Sequence, residues 1–143
     1  MILRLAFIAL LLASPSALLA AENDREVAAR NIALDLAGAF SNDGFKIRDG
    51  HWAGAIKQGE QAVLTVNLYA GNQYWFSVGA DESAKKFALQ IFDENGKAVS
   101  TENFEDEERA AAGFSPTISG QYFVSIKPSA GDTSTYCLVY LYK

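Results

Sequence analysis

The side chains able to do chemistry are few and scattered. The chain has a single histidine, His51, and a single cysteine, Cys137. A Ser-His-Asp or Cys-His nucleophile would have to be built on His51, because an imidazole must take the nucleophile's proton. No Gly-x-Ser-x-Gly elbow occurs, and His51 stands beside Trp52 in a turn-rich stretch. It reads as a surface or packing residue, and no catalytic residue is assigned. Zinc fails on ligand count: one His and one Cys, far apart, leave only carboxylates to complete the tetrahedron.

Cys137 alternates with Val139 and Leu141 along one strand face. It reads as a small buried hydrophobe, with an intermolecular disulfide as the alternative. Glu102, Glu105, Asp106, Glu107 and Glu108 form the densest charge cluster. Carboxylate oxygens suit calcium, a hard cation. The run has neither EF-hand spacing nor an Asp-x-Asp repeat. No cofactor is therefore expected. A solvated loop from Glu102 to Arg109 is the expectation, and calcium at residues 102–108 the alternative.

The remaining candidates are aromatic. Trp75 alternates with Gln73 and Ser77, so it should point away from Tyr74 and Phe76. Trp52 sits near a turn. An indole beside an amide can hold a sugar ring or a peptide, since the flat apolar body packs while the polar rim bonds. Trp52, Gln73 and Trp75 are the candidate ligand-binding residues. In the competing reading both indoles are covered, Trp75 lying beneath a helix against Leu36 or Phe40.

The elements that must position these groups follow from periodicity. Asn23 with Glu26 resembles a capping box. Behind it Ala29, Ile32, Ala33, Leu36, Ala37 and Phe40 make an apolar stripe at helical spacing, predicting a helix over 23–40. Ser41-Asn42-Asp43-Gly44 ends it. From Phe45 onward the period becomes two. Leu64, Val66 and Leu68 alternate with Thr65 and Asn67, and Tyr74, Phe76 and Val78 form a further inward set. Phe87, Leu89 and Ile91 repeat the pattern. Asn95-Gly96 suits a tight hairpin returning through residues 97–100. Ser119-Gly120 launches a strand with Tyr122, Val124 and Ile126 inward, running to Lys127. Pro128 to Thr133 reads as a turn region. The last strand, over 135–142, is apolar or aromatic on both faces, which predicts a central position covered on both sides.

Short strands with regular turn signals behind one leading helix predict an all-β domain, an antiparallel jelly-roll-like β-sandwich with one N-terminal helix. A partly closed barrel is the alternative. The expected organisation is a signal peptide over 1–20, a helical segment over 21–44 and the sandwich over 45–143. The leader rests on Arg4, the apolar run at 5–12, the break at Ser14-Pro15-Ser16 and small residues allowing cleavage after Ala20 or Ala21. That run is too short to span a bilayer. The expected location is therefore periplasmic or secreted, with no membrane attachment after cleavage. The chain carries 12 Lys and Arg against 17 Asp and Glu, a net charge of −5. Net negative charge is a poor match for nucleic acid or an anionic membrane.

Several segments carry a resemblance. Gly54-Ala-Ile-Lys-Gln-Gly59, Ala70-Gly71-Asn-Gln-Tyr74, Phe87-Ala-Leu-Gln-Ile-Phe-Asp-Glu-Asn-Gly96 and Phe114-Ser-Pro-Thr-Ile-Ser-Gly-Gln-Tyr-Phe-Val124 resemble the bacterial pre-peptidase C-terminal domain. The resemblance covers roughly residues 50–143. It implies a jelly-roll-like sandwich serving as a non-catalytic accessory module of secreted proteins. Gln61-Ala62-Val63 stands where that family has an acidic residue, and no ligand residue carries over. The expected function is an exported binding module for a glycan, a peptide or a partner protein. A small carboxylate-based hydrolase and a self-associating envelope protein are the alternatives.

Overall fold

The computed structural model describes residues 23–81 and 84–143. The expected leader and its cleavage point lie outside the described residues.

The Asn23 side-chain oxygen accepts a hydrogen bond from the Glu26 N–H at 2.9 Å, capping helix α1, Asp24–Ser41. Asp24 and Glu26 place negative charge at the positive end of the helix dipole. Ala29, Ala33 and Ala37 recur every four residues and are fully buried. A face of methyl groups lets a helix backbone approach its neighbour closely.

Nine strands follow among the described residues: β1 (Lys46–Ile47), β2 (Trp52–Ile56), β3 (Ala62–Leu68), β4 (Tyr74–Ala80), β5 (Ala84–Phe92), β6 (Glu102–Glu105), β7 (Arg109–Phe114), β8 (Gly120–Gly131) and β9 (Ser134–Tyr142). All pair antiparallel. The larger sheet runs β1-β9-β4-β7-β6, with β2 also on β9, and the smaller runs β3-β8-β5. From β3 to β9 the chain passes back and forth between the sheets, except that β6 and β7 follow one another in the larger one, which gives the jelly-roll-like sandwich expected from the alternation. No helix among the described residues is long and apolar enough to cross a membrane.

The main core lies between the sheets. Val66, Leu68, Phe87, Leu89, Ile91, Tyr122, Val124 and Ile126 meet Tyr74, Phe76, Val78, Tyr136, Leu138 and Tyr140 there. The sets on β3, β4, β5 and β8 are those the period-two pattern predicts, with Leu64 only partly buried. A second core lies on the outer face of the larger sheet, where α1 packs Ala29, Ala33 and Ala37 against Cys137, Val139 and Leu141. The order of layers is helix, large sheet, small sheet. β9 is buried at every position except Tyr142, as its two apolar faces predict.

Seating the helix depends on two residues of β4. A Cβ on Gly79 would fall 2.6 Å from the Ala33 nitrogen and 2.8 Å from the Ala29 oxygen, so only glycine fits beneath the helix backbone. The buried Ser77 hydroxyl donates to the Ala33 carbonyl at 2.7 Å.

Three stretches differ from expectation. The charged run is not a loop: β6 pairs with β7, placing Glu102 opposite Gly113 and Glu105 opposite Ala110. Asp106 makes the turn between them, accepting from the Glu108 N–H at 3.1 Å, the Arg109 N–H at 3.0 Å and Arg109 Nε at 2.6 Å. Charge on an edge strand is compatible with pairing on one side only, and it discourages pairing on the other. β8 continues through Pro128 to Gly131 instead of turning. Its pairing with β3 ends at Ile126, so beyond that point only β5 is a neighbour and a missing N–H on the open side costs no ladder bond. Finally, Asn95-Gly96 turns the chain, but the return makes only an isolated bridge between Phe92 and Ala98.

Candidate functional site: an aromatic cleft at the sandwich edge

Asp49 and Gly50 interrupt the edge of the larger sheet. Gly50 has φ +91°, a conformation that strains any residue with a Cβ. On either side of the interruption β1 and β2 both pair with β9, matching Ile47 with Leu141 and Trp52 with Leu138. Arg48 lies in the gap, its N–H donating to the Tyr140 carbonyl at 2.9 Å. The break thus brings Arg48 and Trp52 over one tyrosine.

Trp52 and Tyr140 stack with ring centroids 5.8 Å apart and planes 18° apart. The Arg48 guanidinium lies 5.1 Å from the Tyr140 ring centre and 5.9 Å from that of Trp52. Tyr74 meets Tyr140 edge-on at 6.2 Å. The Tyr74 hydroxyl accepts from the Tyr69 N–H at 2.9 Å and from Asn72 Nδ2 at 3.1 Å, so the β3–β4 connection is tied to the same cluster. Burial pushes the Tyr140 hydroxyl above its ordinary pKa, partly opposed by the charge of Arg48.

These groups line a cleft of about 500 Å³. It opens where the edge of the large sheet, Arg48 and Trp52, faces the edge of the small sheet, Thr65 and Asn67. Tyr69, 62% exposed, and Tyr142 line its mouth. Among the described residues, the lining holds one cation, two side-chain amides and no Asp, Glu, His or Cys.

A neighbouring depression of about 700 Å³ shares Tyr74 as a wall. Gln73 and Trp75 line this second space, together with Phe45, Phe114 and Ile118. The three candidate residues therefore divide: Trp52 belongs to the cleft, Gln73 and Trp75 to the depression beside it. Trp75 is half-buried, and its indole stacks on Phe40 of α1 at 4.2 Å and 11°. A Cβ on Gly113 would come within 2.8 Å of the same indole. Gln73 is exposed, and its backbone exchanges two hydrogen bonds with Lys143.

The other chemically capable residues lie elsewhere. His51 is exposed at the interruption. Cys137 is fully buried between the sheet and α1. Among the described residues, no three Asp, Glu, His or Cys side chains gather closely enough to hold a metal ion.

Sequence reasoning found Trp52 but missed Arg48, Asn67, Tyr69, Asn72 and Tyr140. The available signal was the Arg48-Asp49-Gly50-His51-Trp52 string, in which a glycine turn separates a cation from an indole. What it could not supply was the partner strand. Compared with known proteins, the chain matches no family model and no curated protein.

Proposed function

We propose that this chain is an exported, non-catalytic accessory module, similar in kind to the pre-peptidase C-terminal domain, and that the Trp52–Tyr140 cleft binds a glycan. The observation that carries the reading is the stacked Trp52–Tyr140 pair, capped by Arg48 and flanked by Asn67 and Asn72 at the open edge of the sandwich. Flat rings pack on the apolar face of a sugar, while amides and a guanidinium bond its hydroxyls. A volume of about 500 Å³ falls within the range of small-molecule sites. Glycosidic bond cleavage takes two carboxyl groups across the scissile bond. Among its described residues the cleft lining offers none, which favours binding over hydrolysis there.

The test is titration of the exported protein with a panel of bacterial and plant oligosaccharides, read by tryptophan fluorescence. At least one should perturb the emission, and Trp52→Ala should weaken that ligand by about 1–3 kcal/mol, the range for an aromatic anchor. Binding indifferent to Trp52→Ala, or a panel without any binder, defeats the proposal.

A further inference from the structure

The charge of the cleft says more about its ligand than its shape does. The whole chain has more acids than bases. Yet among the described residues the only charged side chain lining this cleft is Arg48. Its guanidinium lies near two ring faces, at 5.1 Å and 5.9 Å, and its backbone is pinned to Tyr140. No carboxylate forms a salt bridge with Arg48 among the described residues. A guanidinium resting on aromatic rings keeps its in-plane N–H groups free to bond outward, and their fork matches a carboxylate two-point fashion. The remaining polar groups of the lining, Asn67, Asn72, Thr65 and the tyrosine hydroxyls, suit neutral hydroxyl groups of the same ligand.

Resting on the glycan reading, we infer that the cleft selects acidic sugars, with Arg48 taking the carboxylate of a uronic-acid residue while Trp52, backed by the buried Tyr140, holds its ring. The absence of any acid among the described lining residues matters as much as the cation. An Asp or Glu beside Arg48 would compete for the guanidinium and repel the incoming carboxylate. The long-range field of a net negative chain opposes such a ligand, so the preference must come from this local contact, and salt should weaken it.

The experiment compares an oligogalacturonate with its fully methyl-esterified form, binding each to the full exported chain by calorimetry. The acid should bind about tenfold tighter than the ester, as expected for a hydrogen bond to a charged group. The preference should shrink as salt is raised. Arg48→Gln should reduce the acid to the affinity of the ester, with the fold retained and the melting temperature only slightly lowered, because the exposed side chain gives up no more than its contacts with two ring faces. Arg48→Lys should restore only part of the preference, since an ammonium keeps the charge without the fork. Trp52→Ala should weaken acid and ester alike. Equal binding of acid and ester, both sensitive to Trp52→Ala, overturns the selectivity and leaves the glycan reading standing. Failure of both probes to bind overturns the acidic-sugar inference, and the glycan reading then depends on the wider panel.

Discussion

Phe40 and Trp75 stack nearly parallel, their ring centroids 4.2 Å apart, and this pair joins the last turns of α1 to β4. The indole packs against both the helix and Gly113, so its place is structural before it is anything else. Trp75→Ala should destabilise the protein by about 3 kcal/mol, the low end for removing a packed aromatic. Its emission should also resist acrylamide more than that of a free indole. Denaturant unfolding of Trp75→Ala checks the first, and quenching of a Trp52→Phe variant, in which Trp75 is the remaining indole, checks the second. Full quenching with unchanged stability would return Trp75 to the list of accessible ligand anchors.

Gly79 lies directly beneath the helix backbone. Gly79→Ala should cost about 1–3 kcal/mol or more, because the new methyl meets helix backbone atoms, which cannot rotate away. Urea midpoints for the wild type and the variant measure it. Gly71, whose Cβ position meets no neighbour within 4 Å but whose φ is +91°, is the control for backbone strain without a clash.

Asp106 makes the β6–β7 turn. Burial raises its carboxyl pKa, but hydrogen bonds from Arg109 and the Glu108 N–H, with the Arg109 charge, outweigh this and hold it below the ordinary 3.8. A depressed folded pKa contributes stability above the unfolded value, and that contribution fades as pH falls from 3.8 through the folded value. Asp106→Asn keeps an oxygen for the backbone N–H groups and removes the charge together with the oxygen that accepts from Arg109 Nε. It should lower the melting temperature at pH 7, and the gap should close on acidification below pH 3.8. A gap independent of pH would show that the charge of Asp106 contributes nothing.

Tyr122, Tyr136 and Tyr140 all have hydroxyls raised above 10.0, in each case first by burial. For a raised group the folded state holds its proton longer than the unfolded chain does. Stability is then intact below pH 10.0 and is lost as pH climbs through the folded values. Tyrosinate absorbance of the native protein should lag behind that of the urea-unfolded chain above pH 10.0, and the melting temperature should fall over the same window. The Tyr122 hydroxyl, which donates to the Ile118 carbonyl at 2.6 Å, loses that bond on ionisation. Coincident native and unfolded titrations would contradict the assignment.

Much of the fold was legible because it is a matter of period. A cap at Asn23 and alanines every four residues specify a helix with one narrow face. Alternation at Leu64, Val66 and Leu68, or at Tyr122, Val124 and Ile126, specifies which face of a strand is inward, since adjacent side chains point oppositely. The doubly apolar 135–142 run likewise announced a strand covered on both sides.

Tertiary structure alone decided the rest. β7 is a run of alanines, poor strand formers with no alternation, yet Ala110, Ala111 and Ala112 are all buried, and packing overrides a weak local preference. β6 is acidic along half its length and becomes a strand only because β7 offers it a ladder. Pro128 stays in a strand because its open side has lost β3, a circumstance no local window contains. The cleft follows the same logic. The residue types at Arg48, Trp52 and Tyr140 were there to read, but β9 arrives some ninety residues after β1, and antiparallel pairing with a one-turn interruption sets the cation over the ring. Periodicity says which way a side chain points, whereas a binding site depends on which strands become neighbours, and that is settled only when all the apolar faces are buried together.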